Sequence, residues 1–304
     1  MKPGASLLAI GYRHFLAVAE AGSVRGASRS LNVAASAISR QLSLLEDQLG
    51  IALFDRSGRS LALSPAGEVL RRGLRAAGIG IEETLDEVSG LRGLQRGRVR
   101  IATVESISVS VLPDVLLDFA RRHPGLEVAV TMAGSDAVSE LVREHHADVG
   151  FTFNPSSLEG LEVVAARDMR LGAVMAPGHA LAKKPRLLLA DCLAHRVAWP
   201  SRGLSLRAVL DRLPVARTVR PAVECNSLRL MASLARREGC IAFQTPIGIE
   251  QEIASGQLVW RPLSDPRLPV DRLVVVRRSG QTGRPATAAF LAVAAAHLPN
   301  VRRK

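Results

Sequence analysis

One short stretch carries side chains whose types and spacing could read a nucleic acid. Counted at about 100° per residue from Ala35 to Leu49, Ser36, Ser39, Arg40 and Ser43 fall on one side of a helix. Ile38, Leu42, Leu45 and Leu49 fall on the other. Short hydroxyls let a helix backbone approach base edges, and a guanidinium at Arg40 can reach guanine or a phosphate. Ser23, Arg25 and Gln41 belong to the same candidate surface, and Arg56 and Arg59 follow in a polar, glycine-containing turn. Phosphate or minor-groove contact suits those two arginines. Two ordinary surface helices with a solvated Ser/Arg face would show the same stripe.

A second set of small polar residues sits where extended runs end in the later part of the chain. These are Thr103, Glu105 and Ser106, then Ser135, Phe153, Ser201, Arg202, Asn226, Gln244 and Thr245. Open α/β sheets bind ligands outside the carboxyl ends of their strands. Several of these residues also open a helix, so free backbone N–H groups would face such a cleft. That arrangement suits a small carboxylate or other anion. Taken singly, each of them is a common cap or turn residue.

The elements that must position the first set read clearly. Tyr12 to Ala21 has helical apolar spacing closed by Gly22, and Ser23 suits the N-cap of the next helix. Val24, Ala27 and Leu31 give that helix an apolar side. Asn32 tolerates a left-handed turn and Val33 plugs the junction, which makes a helix-turn-helix with its second helix ending at Gly50. Two extended runs, Ile51–Phe54 and Leu61–Leu63, flank the Arg56/Arg59 turn as a β-hairpin or wing. Ser64-Pro65 opens a long helix. Leu70, Leu74, Ala77, Ile81, Leu85, Val88 and Leu91 recur along it at a mean step of 3.5, the spacing of a coiled-coil seam. Gly73, Gly78 and Gly80 weaken it, so a partner helix is expected. Arg71, Arg72 and Arg75 precede Glu82, Glu83, Asp86 and Glu87 along it.

The glycine- and arginine-rich segment 90–98 marks a domain boundary. Beyond it strands and helices alternate in two similar sets, with Thr218–Glu224 among the expected strands, which implies parallel-type sheets in two lobes. The expected domains are 8–64 (DNA binding), 65–92 (linker helix) and 93–304 (ligand binding). The lobes of the last are expected over 98–167 plus 278–304, and over 168–277.

The chain has 304 residues, of which 47% are hydrophobic and 3% aromatic. Scarce aromatics argue against stacking-based single-strand binding. The net charge of +12 favours a polyanionic partner. It does not locate that partner, since residues 1–96 hold only 12 Lys/Arg against 9 Asp/Glu. Cys192, Cys225 and Cys240 are far apart and read as reduced thiols, as in a cytoplasmic protein. The apolar run at Ser6–Ile10 is too short for a signal peptide, and no stretch has the length of a membrane span. No nucleotide-binding, metalloprotease or serine-hydrolase motif occurs. His145-His146 with Asp148 is the nearest approach to a metal set, and its adjacent imidazoles would diverge.

The runs Phe15–Ser23, Ala37–Gln41, Leu44–Gly50, Leu53–Arg59 and Leu63–Gly67 together resemble the LysR-type transcriptional regulators, almost without gaps over residues 12–67. Leu112-Pro113, Phe119, His123-Pro124 and Gly239–Phe243 resemble the family's effector domain more weakly. The resemblance implies an α+β multidomain chain: an N-terminal winged helix-turn-helix, a long linker helix, and a C-terminal two-lobed α/β effector domain of type 2 periplasmic-binding-protein-like fold. It implies double-stranded operator DNA as partner, RNA polymerase as a further one, a homodimer through the linker helix and usually a homotetramer. It also implies a small effector between the lobes, no cofactor, no metal and no enzymatic activity. Many members open the recognition helix with Ser-Gln where Ala34-Ala35 stand here, which shifts base reading toward Ser36, Ser39, Arg40 and the wing. The alternatives are a thiol-based redox-sensing regulator using Cys192 and Cys225, and more distantly a solute-binding or enzymatic α/β protein.

Overall fold

The computed structural model describes residues 10–55, 61–90, 97–237, 239–280 and 284–298. The chain divides into two compact units, Met1–Leu91 and Arg92–Lys304. The wing tip with Arg56 and Arg59, and hinge residues 91–96 including seam residue Leu91, lie outside the described residues.

In the first unit, α1 (Ile10–Ala21), α2 (Val24–Leu31) and α3 (Ala35–Leu49) pack around Phe15, Val18, Ala27, Ile38, Leu42 and Leu45. The Ser23 hydroxyl caps α2 by accepting from Gly26 N at 3.1 Å. Asn32 closes α2 in the left-handed region at φ 53°, and the Ser28 hydroxyl donates to Val33 O at 2.7 Å, which braces the turn into α3. Leu49 departs from the expected stripe. It is 46% exposed, because α3 overhangs the core by its last turn before Gly50 reverses the chain at φ 67°.

The wing strands β1 (Phe54–Asp55) and β2 (Ala62–Leu63) pair antiparallel. Phe54 packs its ring 5.4 Å from that of Phe15. The Glu46 carboxylate on α3 accepts from Leu53 N at 2.7 Å and Phe54 N at 3.3 Å, so the recognition helix itself holds the start of the wing. The long helix α4 (Pro65–Gly90) follows, with the Ser64 hydroxyl accepting from Gly67 N. Its 26 residues span about 39 Å. Leu74 belongs to the first unit's core, and Arg75 pairs with Glu20 at 3.3 Å. Further along, Ala77 and Leu85 are exposed and Ile81 is half-buried. The expected seam is therefore divided: its start is core, and its described continuation is only partly covered. The carboxylate groups at 82, 83, 86 and 87, with seam residue Val88, have side chains outside the description.

The second unit holds two five-stranded sheets. The first has the order β4 (Leu126–Met132), β3 (Gly97–Thr103), β5 (Val149–Phe153), β12 (Asp271–Arg278), β6 (Leu161–Met169). The second has the order β11 (Val259–Pro262), β7 (Gly172–Met175), β10 (Cys240–Gln244), β8 (Arg196–Pro200), β9 (Val223–Cys225). Helices α5 (Glu105–Ser108), α6 (Val111–Arg122), α7 (Ser135–Arg143) and α12 (Pro285–His297) go with the first lobe. Helices α8 (Leu189–Leu193), α9 (Ser205–Leu210), α10 (Leu228–Ala235) and α11 (Glu250–Ala254) go with the second. Phe119, Phe151 and Phe290 centre one core, and Trp199 with Phe243 the other.

Three expectations change. The lobe boundary at 277 falls too late, since β12 lies between β5 and β6 in the first sheet. Its run Leu273–Val276 is buried on both faces and completes that sheet. The sheets are mixed, because β12 runs antiparallel to β5 and β6, and β7 antiparallel to β10 and β11. The strand expected over 218–224 shrinks to β9. Pro221 has no N–H to give a ladder, and residues Pro214–Thr218 form a 3-10 turn instead. Among the described residues no helix is long and apolar enough to cross a membrane.

Candidate DNA-binding surface and inter-lobe cavity

The helix-turn-helix presents one side of α3 outward. Ser36, Ser39 and Arg40 are exposed, and Gln41 is half-buried at the edge of the same helix. Ala34 offers no side-chain oxygen to cap α3. The first amides of the helix, with the positive end of its dipole, are thus left for an outside acceptor such as a phosphate. Ser23 and Arg25 are also exposed, although the Ser23 hydroxyl is engaged in its cap. Arg29, which the pattern did not single out, is exposed on α2 as well. No acidic residue lies between Ser23 and Gln41, so this surface carries three arginines without local opposition.

In the second unit, a cavity of about 420 Å³ opens between the lobes. Eight of the ten expected ligand residues line it: Glu105, Ser106, Ser135, Phe153, Arg202, Asn226, Gln244 and Thr245. Thr103 is fully buried at the end of β3 and donates to Val104 O at 3.2 Å. Ser201 is half-buried, with its amide on Cys225 O. Neither is among the lining residues. Apolar walls come from Val104, Met132, Leu204, Leu206 and Leu228.

The electrostatics differ from the expected ring of free helix ends. The Glu105 carboxylate crosses from the first lobe to α10 in the second. Its Oε1 accepts from Ser227 Oγ at 3.0 Å, and its Oε2 from Leu228 N at 2.6 Å. The helix end at Asn226-Ser227 is therefore already filled by an anion of the chain itself. Ser110 Oγ donates to Glu250 Oε1 at 2.7 Å across the same junction. Gly248, at φ 91°, approaches Ser106 so closely that a Cβ there would lie 3.1 Å from Ser106 Cα. The longest helix whose N-terminus stays without a side-chain cap at the cavity is α7, where Gly134 and Ser135 line it; the short helices α5 and α9 also begin there uncapped. Arg202 stands on the opposite wall, and among the described residues no acid pairs with it.

Asp271 was missed by sequence reasoning. It begins β12, is 3% exposed, and lines the cavity. Burial raises its pKa to about 7, opposed by a hydrogen bond from Ser205. Asn154, held at φ 38°, donates through Nδ2 to Asp271 Oδ1 at 2.7 Å and accepts from Arg272 N. The signal available was a lone acid opening an apolar strand. Gln244 is 2% exposed, and its Oε1 has no hydrogen-bond partner among the described residues.

The other candidate chemistries find their residues engaged or inert. Asp148 accepts from Arg100 Nη2 at 2.7 Å, and Arg284 lies 3.6 Å away, so it serves a buried charge cluster. The Cys192 thiol is fully buried. Burial, with Asp191 and Asp265 nearby, pushes its pKa up to about 12, which keeps it protonated and poorly nucleophilic. Burial raises that of Cys240 too.

Comparison with known proteins agrees with both halves of the geometry. Residues 11–68 match the model of the bacterial regulatory helix-turn-helix protein, lysR family, and residues 92–299 match that of the LysR substrate binding domain. An uncharacterized HTH-type transcriptional regulator of Mycobacterium tuberculosis is 34% identical over 266 residues, covering 81% of this chain and 82% of the relative. Full-length OxyR from Pseudomonas aeruginosa shares the fold at a TM-score of 0.67 and 16% identity, over 94% of this chain and 93% of that one. CbnR, solved in complex with its target DNA, does so at 0.63 and 21% identity, over 95% and 99%. An exposed arginine-bearing helix-turn-helix, a long linker helix and a two-lobed ligand domain thus occur together in a chain that belongs to the LysR family of DNA-binding transcriptional regulators.

Proposed function

We propose that the chain binds double-stranded operator DNA as a homodimer joined through α4, in a tetramer of two such dimers. A small effector held in the inter-lobe cavity would set how it acts on transcription in the bacterial cytoplasm, with RNA polymerase as a further partner. Ser36, Ser39, Arg40 and Gln41 on α3 would meet the major groove, and Ser23 and Arg25 the backbone beside it, together with the wing arginines Arg56 and Arg59. The incompletely covered seam on α4 supports the dimer, since an isolated helix with five glycines gains little stability from its own propensity.

The observation that carries the effector reading is the cavity. Its lining pairs an unopposed arginine, Arg202, with the uncapped end of α7, and both favour a carboxylate or similar anion. Thermal-shift titration of the full chain with small carboxylic acids tests this. The expected result is a concentration-dependent stabilisation that Arg202→Ala weakens about tenfold in apparent affinity, the loss of one charge-assisted contact. A response unchanged by Arg202→Ala counts against it.

A further inference from the structure

The cavity also carries chemistry opposite to that of Arg202. Asp271 on the first lobe and Gln244 on the second both line it, and both are more than nine-tenths buried. Among the described residues no Lys, Arg or His pairs with Asp271, whose partners Asn154 and Ser205 are neutral donors. The Gln244 Oε1 has no donor among the described residues. A buried carboxylate without a cation and a buried amide oxygen without a donor are both costly, and both are relieved by a ligand that brings N–H groups and positive charge.

We propose that the effector is a zwitterion of the α-amino-acid type, its carboxylate toward Arg202 and the α7 amides and its ammonium group held by Asp271 and Gln244. This rests on the reading of the cavity as an effector site and narrows the ligand class. An ammonium group offers three donors, enough for one carboxylate oxygen of Asp271 and for Gln244 Oε1 together. A plain carboxylate would answer Arg202 but leave Asp271 without a cation. A ligand bound the other way round would set its negative charge against Asp271. A cavity of about 420 Å³ is ample for a compact zwitterion.

The test uses the full chain and three matched probe sets: the twenty common L-amino acids, their N-acetyl derivatives, and the corresponding carboxylic acids lacking the amino group. Calorimetric titration should show one or more amino acids binding, with affinity falling at least tenfold on N-acetylation or removal of the amino group. Asp271→Asn keeps the shape and hydrogen-bonding size of the side chain and should cost the amino acid a similar factor. The wild-type comparison of probes does not depend on any variant folding. If the carboxylic acids bind as well as the amino acids and remain sensitive to Arg202→Ala, the zwitterion is wrong while the effector site stands. If Asp271→Asn binds the amino acid as well as the wild type, a protonated Asp271 facing an anion is the better description, and the proposal fails. If no member of the three sets binds, both the zwitterion and the anion-binding reading of the cavity fall.

Discussion

Glu105 and Leu228 lie 123 positions apart in the chain, yet the carboxylate of one sits 2.6 Å from the backbone nitrogen of the other. That contact fills the N-terminus of α10 with a charge from the opposite lobe. A carboxylate at a helix N-terminus satisfies orphan amides and meets the positive end of the dipole. Here it also ties the two lobes together beside the cavity, with Ser110–Glu250 as a second tie.

Glu105→Ala should therefore loosen the lobe junction without unfolding either lobe. The expected loss is about 1–2 kcal/mol, the scale of a removed helix cap. Hydrogen exchange at Leu228 and Arg229 should quicken, while exchange in the β3–β5 core stays slow. Equal protection of α10 in the variant would show that the contact does not hold the lobes.

Arg40→Ala should weaken operator binding by about 1–3 kcal/mol, that is at least several-fold, because Arg40 is exposed on α3 and supports no core packing. Circular dichroism and oligomeric state should not change. A gel-shift titration with unchanged affinity would remove Arg40 from the DNA contact.

Leu85→Glu should dissociate the dimer. Leu85 is 37% exposed on α4 and lies on the seam whose earlier residue Leu74 is already used in the first unit's core. A charge placed in a coiled-coil seam is strongly unfavourable. Sedimentation of the full chain at micromolar concentration should show a lower mass, and an unchanged dimer would place the interface elsewhere.

Gly67→Ala should destabilise the DNA-binding unit, because the added Cβ would sit 2.1 Å from Leu53 O. That clash is with backbone, at the point where the wing meets α4, and overpacking of this kind costs about 1–3 kcal/mol or more. Gly80→Ala is the matched control on the same helix: nothing lies within 4 Å of its added Cβ, and it should be neutral or raise helix stability. Melting curves in which the two behave alike would contradict the assigned geometry.

The helix-turn-helix was legible because its signals are local. Ser23, Asn32 and Gly50 punctuate it, and Ile38, Leu42 and Leu45 give α3 one buried stripe. Leu49 fitted the period but not the core, since a stripe says which side is apolar and not where the packing partner ends. The cavity residues at strand ends were legible as a class. Which of them face the cavity was not: Thr103 and Ser201 end strands like the others but turn their hydroxyl or amide elsewhere. The role of β12 was hidden because a continuous apolar run such as Leu273–Val276 fits either sheet. Asp271 and the target of Glu105 were hidden for the same reason, since their environments are built from residues more than a hundred positions away.

Asp271 also makes stability depend on pH in a stated direction. Its folded-state pKa is raised to about 7 by burial, against about 3.9 for an unfolded aspartate. Between those values the folded chain holds a proton that the unfolded chain has lost. The contribution of this group is thus fully present below about pH 4 and disappears as pH rises through about 7. Asparagine at this position keeps the shape and has no proton to lose. The second unit of wild type should therefore lose stability relative to Asp271→Asn as pH rises from 5 to 8, with most of the change complete shortly above 7. Other titrating groups are common to both proteins and cancel in the difference. Denaturant unfolding of the two at four pH values measures it, and a difference that stays constant from 5 to 8 would show that Asp271 is ionised throughout.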